Sequence, residues 1–466
     1  MKIKYDFNNM MADFIGIENG ISEEEINSLI EKCERIDTNL KSMRMRGEIK
    51  FFDLPYQDDV AKDINDYADY IRNEFEYFIV LGIGGSALGG IALQRALNHP
   101  YYQLLSKDKR GKSPKVFFLD NIDPDTHSGI FDVIDLKSSC LNFISKSGNT
   151  AETNAQFLIF IERLKKALGK KDIKKHVIFT TKEQNGNFRK IADKEGMKSF
   201  IIPKGVGGRF SVLSPVGLLP SAVSGININK LLEGASFMDK ICENFNIWEN
   251  PAYMNGVLHY LFDTKKGKNI SVMISYSDAL FGIVDWYRQL WAESLGKKYS
   301  LNGEIVHTGQ TLVKALGVTD HHSQLQLYIE GPNDKVITML CVEKFRSEIE
   351  MGSQYHWVGG PSYLSGHSLN ELFHAERIAI ETTLTKNARP NCSILLPEIN
   401  EFTLGQLLYM FEIQTAFTGY LYNINPFDQP GVEEGKQFAY SLLGKKGIKN
   451  KKGEIETRKK KKYTIK

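Results

Sequence analysis

Polar side chains suited to binding an anion follow directly after a short apolar run at residues 141–144. The run continues as SKSGNT, in which Ser145, Lys146, Ser147 and Thr150 supply three hydroxyls and one ammonium just before a helical pattern. Hydroxyl donors, a cation and the free amides of a helix start are what a phosphate group needs. The Walker pattern GxxxxGK[ST] does not occur here, so a phosphorylated metabolite is favoured over a nucleoside triphosphate. The bland alternative is that the hydroxyls only cap the helix.

A glycine-rich segment, GIGGSALGG, follows the apolar run at residues 77–81 and contains Gly85 and Ser86. Glycines allow the backbone to approach a ligand closely, and the amides of the following helix start can bind an anion or a sugar oxygen. A dinucleotide site is disfavoured because no acidic residue follows about 20 positions later at the end of a second strand. A tight strand-to-helix turn would produce the same pattern.

Three further polar groups have side chains that acid–base chemistry could use. Arg209, between glycines and Phe in GGRF, could face a developing oxyanion. Glu293 ends an amphipathic helix and shares a face with Gln289, which suits a general base. His322 precedes a predicted strand at residues 325–329, a common place for acid–base groups in open α/β sheets. Each also has an ordinary structural interpretation: an arginine paired with a carboxylate, a surface glutamate and a turn histidine.

Lys436 lies five residues into a helix that is predicted to begin at Val432, after a Pro-Gly turn. A lysine at such a position is more often solvated than catalytic. The isolated residues therefore need an independent link before a reaction can be assigned to them.

The elements around these residues alternate between short β-rich runs and longer helical patterns. The apolar runs of the first half are at residues 77–81, 116–119, 141–144, 176–180 and 200–202. A helical stripe over residues 150–168 separates two of them. This alternation predicts a parallel sheet with helices on both faces, in a first α/β domain over residues 76–204.

A second α/β domain is predicted for residues 267–400, with strands at 270–275, 325–329 and 336–341 and a helix at 279–293. The remaining segments are an N-terminal helical segment (1–75), a mostly helical crossing segment (205–266), C-terminal helices (401–444) and a basic, disordered tail (445–466).

The charge of the chain is distributed unevenly. Of the 466 residues, those from Lys445 to Lys466 include eleven Lys and Arg against two Glu, so the total of +3 leaves the preceding residues at −6. The tail has neither interleaved aromatics nor an amphipathic pattern, so we expect no nucleic-acid or membrane contact. No apolar run approaches the 18 residues of a membrane span, and no secretory signal is expected. Five scattered cysteines without a CxxC pair predict neither a disulfide framework nor a zinc site, as in a cytoplasmic protein.

Taken together and in order, the motifs resemble those of the glucose-6-phosphate isomerase family, in its bacterial form. The matching segments are GIGGSALG, ISKSGNTAET, GVGGRFSVLSPVGLLP, QLWAESLGK, TDHHSQLQLYIEGP and NPFDQPGVEEGK. The resemblance extends from about residue 40 to Gly444 and excludes only the basic tail. It implies two sugar-isomerase (SIS) domains, each a three-layer αβα unit with a mainly parallel sheet, together with helical terminal segments.

The resemblance also implies a reaction, which is the reversible isomerisation of glucose 6-phosphate and fructose 6-phosphate through a cis-enediol, in glycolysis and gluconeogenesis. No cofactor and no metal would be needed, because no electrons pass to an acceptor. A homodimer is implied, with an active site shared between subunits because the histidine comes from the neighbouring one. The substrate would be bound by residues of several motifs: Ser145, Lys146, Ser147 and Thr150 at the phosphate, Gly85 and Ser86 lining the pocket, and Gln289 and Gln429 at the sugar.

Four residues would carry the chemistry in the family's scheme. Glu293 would shuttle the proton between C1 and C2, and Arg209 would stabilise the negative charge of the intermediate. His322 and Lys436 would open the sugar ring. The choice of His322 over His321 rests on motif register, because His321 stands where many relatives have Gln. Asn149, similarly, replaces a residue that is often Thr.

Two alternatives differ from this function. A non-catalytic sugar-phosphate-binding protein on the same domains would keep the phosphate loop and lose the acid–base set. Glu293, His322 and Lys436 are all present, which argues against it. An isomerase of another phosphosugar, such as mannose 6-phosphate, would differ only in the pocket around one hydroxyl.

Overall fold

A computed structural model of the chain describes residues 1–169, 173–445, 451 and 453–454. The described residues form two five-stranded sheets and a two-stranded ribbon, surrounded by helices. Within these ranges, none of the helices combines the length and the apolar character that crossing a membrane requires. The predicted basic tail lies almost entirely outside the described residues.

The strands, in chain order, are β1 (Lys4–Asp6), β2 (Tyr77–Leu81), β3 (Lys115–Leu119), β4 (Ser139–Ile144), β5 (Val177–Thr181), β6 (Lys198–Ile201), β7 (Ile270–Ser275), β8 (Lys297–Tyr299), β9 (Ile305–Thr308), β10 (Thr311–Leu316), β11 (Lys335–Lys344) and β12 (Asn391–Glu398).

The α-helices, in chain order, are α1 (Ala12–Ile15), α2 (Glu23–Asn27), α3 (Ile30–Met45), α4 (Asp58–Glu74), α5 (Leu88–Leu97), α6 (Pro124–Val133), α7 (Ala151–Leu168), α8 (Asn187–Glu195), α9 (Pro215–Val223), α10 (Ile228–Cys242), α11 (Pro251–Lys266), α12 (Phe281–Leu295), α13 (Leu325–Glu330), α14 (Gly359–Ser362), α15 (Leu369–Lys386), α16 (Glu401–Leu421) and α17 (Glu433–Leu442).

The first sheet has the strand order β3-β2-β4-β5-β6, and all neighbouring strands are parallel. All five predicted strands are present, each within two residues of its predicted bounds. Every residue of β4 and β5 is buried, as expected for central strands covered by helices on both faces. The glycine-rich segment after β2 and the SKSGNT segment after β4 therefore emerge at the same edge of the sheet.

The second sheet has the order β1-β12-β11-β7-β10 and is parallel except for β1, which pairs antiparallel with β12. The predicted fold class, two mainly parallel sheets flanked by helices, is confirmed. The N-terminal segment is not entirely helical, however. Its residues Lys4–Asp6 form the edge strand β1, too short to show a period of two in the sequence.

The strand predicted at residues 325–329 is wrong, because this segment forms the helix α13. Tyr328 is buried, Leu325 and Ile329 are half-buried against the same core, and Leu327 is exposed. These spacings of three and four are helical, and five apolar-rich residues were too few to separate the two periods. His322 therefore precedes a helix. The strand at the other edge of this sheet, β10, lies upstream of that histidine.

Helix α16 forms the centre of the molecule. Nearly all of its residues are buried, and it packs against α10, α11 and α12. A helix that is buried on all sides lies inside a large core rather than on a surface. The largest apolar cluster includes residues of α16 and of both sheets, so the two α/β units share one core.

Candidate active site

The loop after β4 is held in shape by its own hydroxyl groups. Ser145 is buried, and its Oγ lies 2.9 Å from Thr150 Oγ1 and accepts a hydrogen bond from the Gly148 amide at 3.1 Å. Gly148 has φ +66°, and a Cβ there would lie 2.7 Å from the amide nitrogen of Phe188. The glycine is therefore required for the loop to pass the start of α8, while Ser147 Oγ accepts from the Asn149 amide.

Lys146 connects this loop to the crossing segment. Its Nζ donates to the carbonyl oxygen of Val206 at 2.6 Å. Burial lowers the pKa of Lys146, and the nearby charge of Lys182 lowers it further. An anion bound at the loop would supply the negative charge that this partly buried ammonium lacks.

The glycine-rich segment after β2 packs directly on the crossing segment. A Cβ at Gly85 would lie 2.3 Å from the carbonyl carbon of Gly208, so only glycine fits. Ser211 Oγ donates to the carbonyl oxygens of both Gly208 and Gly85, at 2.6 and 3.3 Å. The glycines thus allow the loop after β2 to approach the backbone of the crossing segment closely, as expected of glycines, although the partner is protein and not a ligand. Ser86 is the next residue of this loop.

Arg209 is a buried cation that joins three parts of the chain. Its side chain is only 3% exposed, and NH1 lies 3.6 Å from Glu293 Oε2. The Nε donates to Ser294 Oγ at 2.7 Å, and NH1 donates to Gln429 Oε1 at 3.0 Å. NH2 donates to the carbonyl oxygens of Pro426 and Asp428. Burial lowers the pKa of Arg209, which Glu293 partly offsets.

Glu293 lies in the last turn of α12 with its side chain 26% exposed. Gln289, one turn earlier, donates from Nε2 to Glu293 Oε2 at 3.1 Å. The prediction that these two side chains share a helix face is confirmed. A Cβ at Gly84 would lie 3.1 Å from the same Nε2, so the glycine-rich segment reaches this pair. A partly accessible carboxylate next to a fixed guanidinium can move a proton while the cation opposes the resulting charge.

The C-terminal helix α17 lies beside the loop after β4 but leaves Lys436 exposed. Tyr440 Oη donates to the carbonyl oxygen of Asn149 at 3.4 Å. Lys436 Nζ pairs with Glu433 Oε1 at 2.7 Å, one helical turn earlier, and not with the Glu293 carboxylate. Gln429, just before this helix, is in contrast placed against Arg209.

The two adjacent histidines differ in their surroundings. Tyr276 Oη lies 2.9 Å from Nε2 of His321, whose side chain is only 7% exposed, and burial lowers the pKa of His321. His322 is exposed, and its imidazole makes no hydrogen bond to the described part of the chain. Within one chain, therefore, the structure brings together Arg209, Glu293 and two glutamines but does not bring His322 to them.

Lys297 is a site neighbour that residue types and spacing did not single out. Its ammonium is buried, donates to the Glu293 carbonyl oxygen at 2.8 Å and lies 3.8 Å from Asp428 Oδ1. The only available signal was its place at the end of the matching segment QLWAESLGK.

Comparison with known proteins agrees with this geometry. The sequence profile of the family described as phosphoglucose isomerase matches residues 61–460. The chain is 46% identical over 457 residues to the glucose-6-phosphate isomerase of Carboxydothermus hydrogenoformans, covering 98% of this chain and 97% of that protein. A crystal structure of a Thermus thermophilus protein is similar with a TM-score of 0.84 and 32% identity, covering 95% of this chain and all of the other.

A glucose-6-phosphate isomerase structure from Chlamydia trachomatis has the same fold. The TM-score is 0.74 at 23% identity, and the match covers 86% of this chain and 76% of the other. The family profile and the close relative each span most of the chain, including the loop after β4, Arg209 and Glu293. The chain therefore belongs to the phosphoglucose isomerase family.

Proposed function

We propose that the site around Arg209 and Glu293 interconverts glucose 6-phosphate and fructose 6-phosphate through a cis-enediol. The observation that carries the proposal is the 3.6 Å approach of a buried guanidinium to an accessible carboxylate. The crossing segment that bears this guanidinium also contacts the phosphate loop through Val206. Family membership agrees with this reaction, which belongs to glycolysis and gluconeogenesis.

Glu293 acts as the base in this scheme. The carboxylate removes the proton from C2 of the open-chain aldose, and the electron pair of the broken C–H bond forms the C1–C2 double bond. Negative charge passes to the carbonyl oxygen, where Arg209 opposes it. A proton then passes from the C2 hydroxyl to the C1 oxygen, and return of the proton from Glu293 to C1 gives the ketose with its carbonyl at C2. Gln289, already bonded to the carboxylate, orients it.

The phosphate of the substrate binds at the loop after β4. The hydroxyl oxygens of Ser145 and Thr150 are 2.9 Å apart just before α7, and hydroxyl groups together with the free amides of a helix start can bind a phosphate. Lys146 adds a positive charge and Ser147 a further hydroxyl. Binding energy from this remote group fixes the sugar against Glu293, while Gly85, Ser86 and Gln429 line the remaining space.

Ring opening requires an acid and a base in addition to Glu293. Within one chain, the structure places neither His321 nor His322 in a hydrogen bond with Glu293. His322 is exposed, whereas His321 is occupied by Tyr276, so His322 is the histidine available to another subunit. The active site is completed in a homodimer, with His322 entering the neighbouring site and Lys436 acting from the first turn of α17. Exposed aromatic side chains at Tyr355, Trp357 and Tyr363 provide apolar surface that association would cover.

All five cysteines are buried free thiols, which suits a protein of the reducing cytoplasm. The test of the function is a coupled assay of the purified protein with fructose 6-phosphate, run beside mannose 6-phosphate. Turnover of fructose 6-phosphate to glucose 6-phosphate is expected. A protein that binds the sugar phosphate without converting it would instead be a non-catalytic binding protein, and turnover of mannose 6-phosphate alone would reassign the substrate.

A further inference from the structure

Lys297 contacts the end of the helix that carries the proposed base. It is the first residue of β8, directly after the C-cap Gly296 of α12, and its side chain is 5% exposed. Its Nζ donates to the carbonyl oxygens of Glu293 and Ser294 at 2.8 and 2.7 Å. Carbonyl groups in the last turn of a helix have no partner within the helix and carry partial negative charge. The ammonium therefore stabilises the turn from which Glu293 extends.

The same ammonium reaches the opposite side of the site. Nζ lies 3.8 Å from Asp428 Oδ1, and the Asp428 carbonyl oxygen accepts a hydrogen bond from Arg209 NH2 at 3.0 Å. The next residue, Gln429, accepts from Arg209 NH1. One buried cation thus joins the turn that bears Glu293 to the segment that supplies the acceptors of Arg209.

The ammonium remains at this position despite an unfavourable setting. The pKa of Lys297 is lowered to about 8, chiefly by burial and also by the charge of Arg209, while the charges of Asp428 and Glu293 act in the opposite direction. Two cations close together inside a protein cost free energy, which only nearby anions and hydrogen-bond acceptors can offset. An apolar side chain of similar length, such as that of Met, would fill the same space without this cost, but it has no N–H group to donate to the two carbonyl oxygens.

We propose that Lys297 is a positioning residue of the isomerisation: its ammonium fixes the last turn of α12 against residues 426–429, so that the Glu293 carboxylate and the Arg209 guanidinium keep their separation during proton transfer. The inference rests on the proposed function. It assigns no contact with substrate to Lys297, so its removal should affect turnover more than substrate binding.

Lys297→Met tests the proposal, with Lys298→Met as its matched control because Lys298 is adjacent and exposed. The readouts are kcat and KM for fructose 6-phosphate, normalised to folded protein by circular dichroism and thermal unfolding. We expect kcat to fall at least about tenfold in Lys297→Met, with KM within about threefold of the parent, and Lys298→Met to match the parent. Lys297→Arg, which keeps the charge and the donors, should recover a large part of kcat.

A purely structural cap gives a different result. In that case Lys297→Met would unfold at a lower temperature while kcat per folded site stayed at the parent value, and the proposal would be overturned. If Lys297→Met does not fold, a second measurement tests the proposal. This is the kcat of the parent divided by the kcat of Lys297→Arg, measured from pH 7 to 9.5. Arg stays charged while Lys297 loses its proton, so the ratio should fall with pH, and a constant ratio would also overturn the proposal. A parent without isomerase activity would instead refute the proposed function itself.

Discussion

The guanidinium of Arg209 and the carboxylate of Glu293 approach to 3.6 Å across the boundary between the crossing segment and helix α12. Arg209 is buried and bonded to Ser294, the residue after Glu293, so the cation and the base are fixed relative to each other before any substrate binds. Such preorganised charge is worth most where water is excluded. The relative position of the proposed base and the cation is thus determined by contacts within a single chain.

Replacing the base should remove turnover without removing binding. Glu293→Gln keeps the shape of the side chain but cannot accept a proton, so we expect kcat to fall by about 10³-fold or more. A phosphorylated sugar-acid analogue should still bind, as measured by calorimetry. The exposed Glu304→Gln serves as the control and should leave turnover unchanged. Near-normal turnover in Glu293→Gln would show that another residue is the base.

Changes in the phosphate loop should act mainly on substrate affinity. Ser145→Ala and Thr150→Ala each remove one hydroxyl from a pair 2.9 Å apart. Loss of one hydrogen bond to a charged group corresponds to about 1.5–3 kcal/mol, or a rise in KM of roughly tenfold to a hundredfold. Steady-state kinetics with fructose 6-phosphate measure this, with Ser236→Ala, at a half-buried position of α10, as control. A fall in kcat at constant KM would place these hydroxyls outside the phosphate site.

A site shared between subunits predicts complementation of two inactive variants. In a dimer of Glu293→Gln with His322→Ala, one of the two sites contains an intact Glu293 and the intact His322 of the other chain. Random mixing by denaturation and refolding should therefore restore about a quarter of the parental activity. The same experiment with His321→Ala in place of His322→Ala is the comparison. If mixing restores nothing while both single variants form dimers, the site is not shared.

Acid should destabilise the protein through a buried histidine away from the site. His259 is buried, its Nδ1 lies 3.0 Å from Gln310 Oε1, and burial lowers its pKa from 6.5 to about 4. Between these values the unfolded chain binds a proton that the folded chain does not. Stability is therefore retained above pH 6.5 and falls as the pH drops towards 4, by about 3 kcal/mol from this residue alone.

Urea unfolding at pH 7.5, 6 and 5 measures the effect. His259→Gln has no titrating ring, so its free energy of unfolding should decline less over this range than that of the parent. The exposed His99→Gln should decline as the parent does. Equal slopes for the parent and His259→Gln would show that His259 is protonated in the folded protein.

Local sequence was sufficient for the elements whose pattern is long or strongly apolar. The sequence predicted the five strands of the first sheet and helix α7. It also predicted that Gln289 and Glu293 share a helix face. Each of these features depends on residues close together in the chain. The order of the motifs was likewise enough to indicate the family and the loop after β4. The short segment at residues 325–329 failed for the same reason, since five residues do not distinguish a helix from a strand.

Tertiary structure alone decided which of these residues meet. Arg209 bonds to Gln429, which is 220 residues away, and to Ser294, which is 85 residues away, and no local pattern carries such distances. The two adjacent histidines differ in burial, since His321 is hydrogen-bonded to Tyr276 and His322 is exposed. The buried Lys297 contacts the helical turn that carries Glu293. Sequence thus determined the types of side chain available for the chemistry. Packing around the shared core determined their positions, because burial and hydrogen bonding depend on the whole chain.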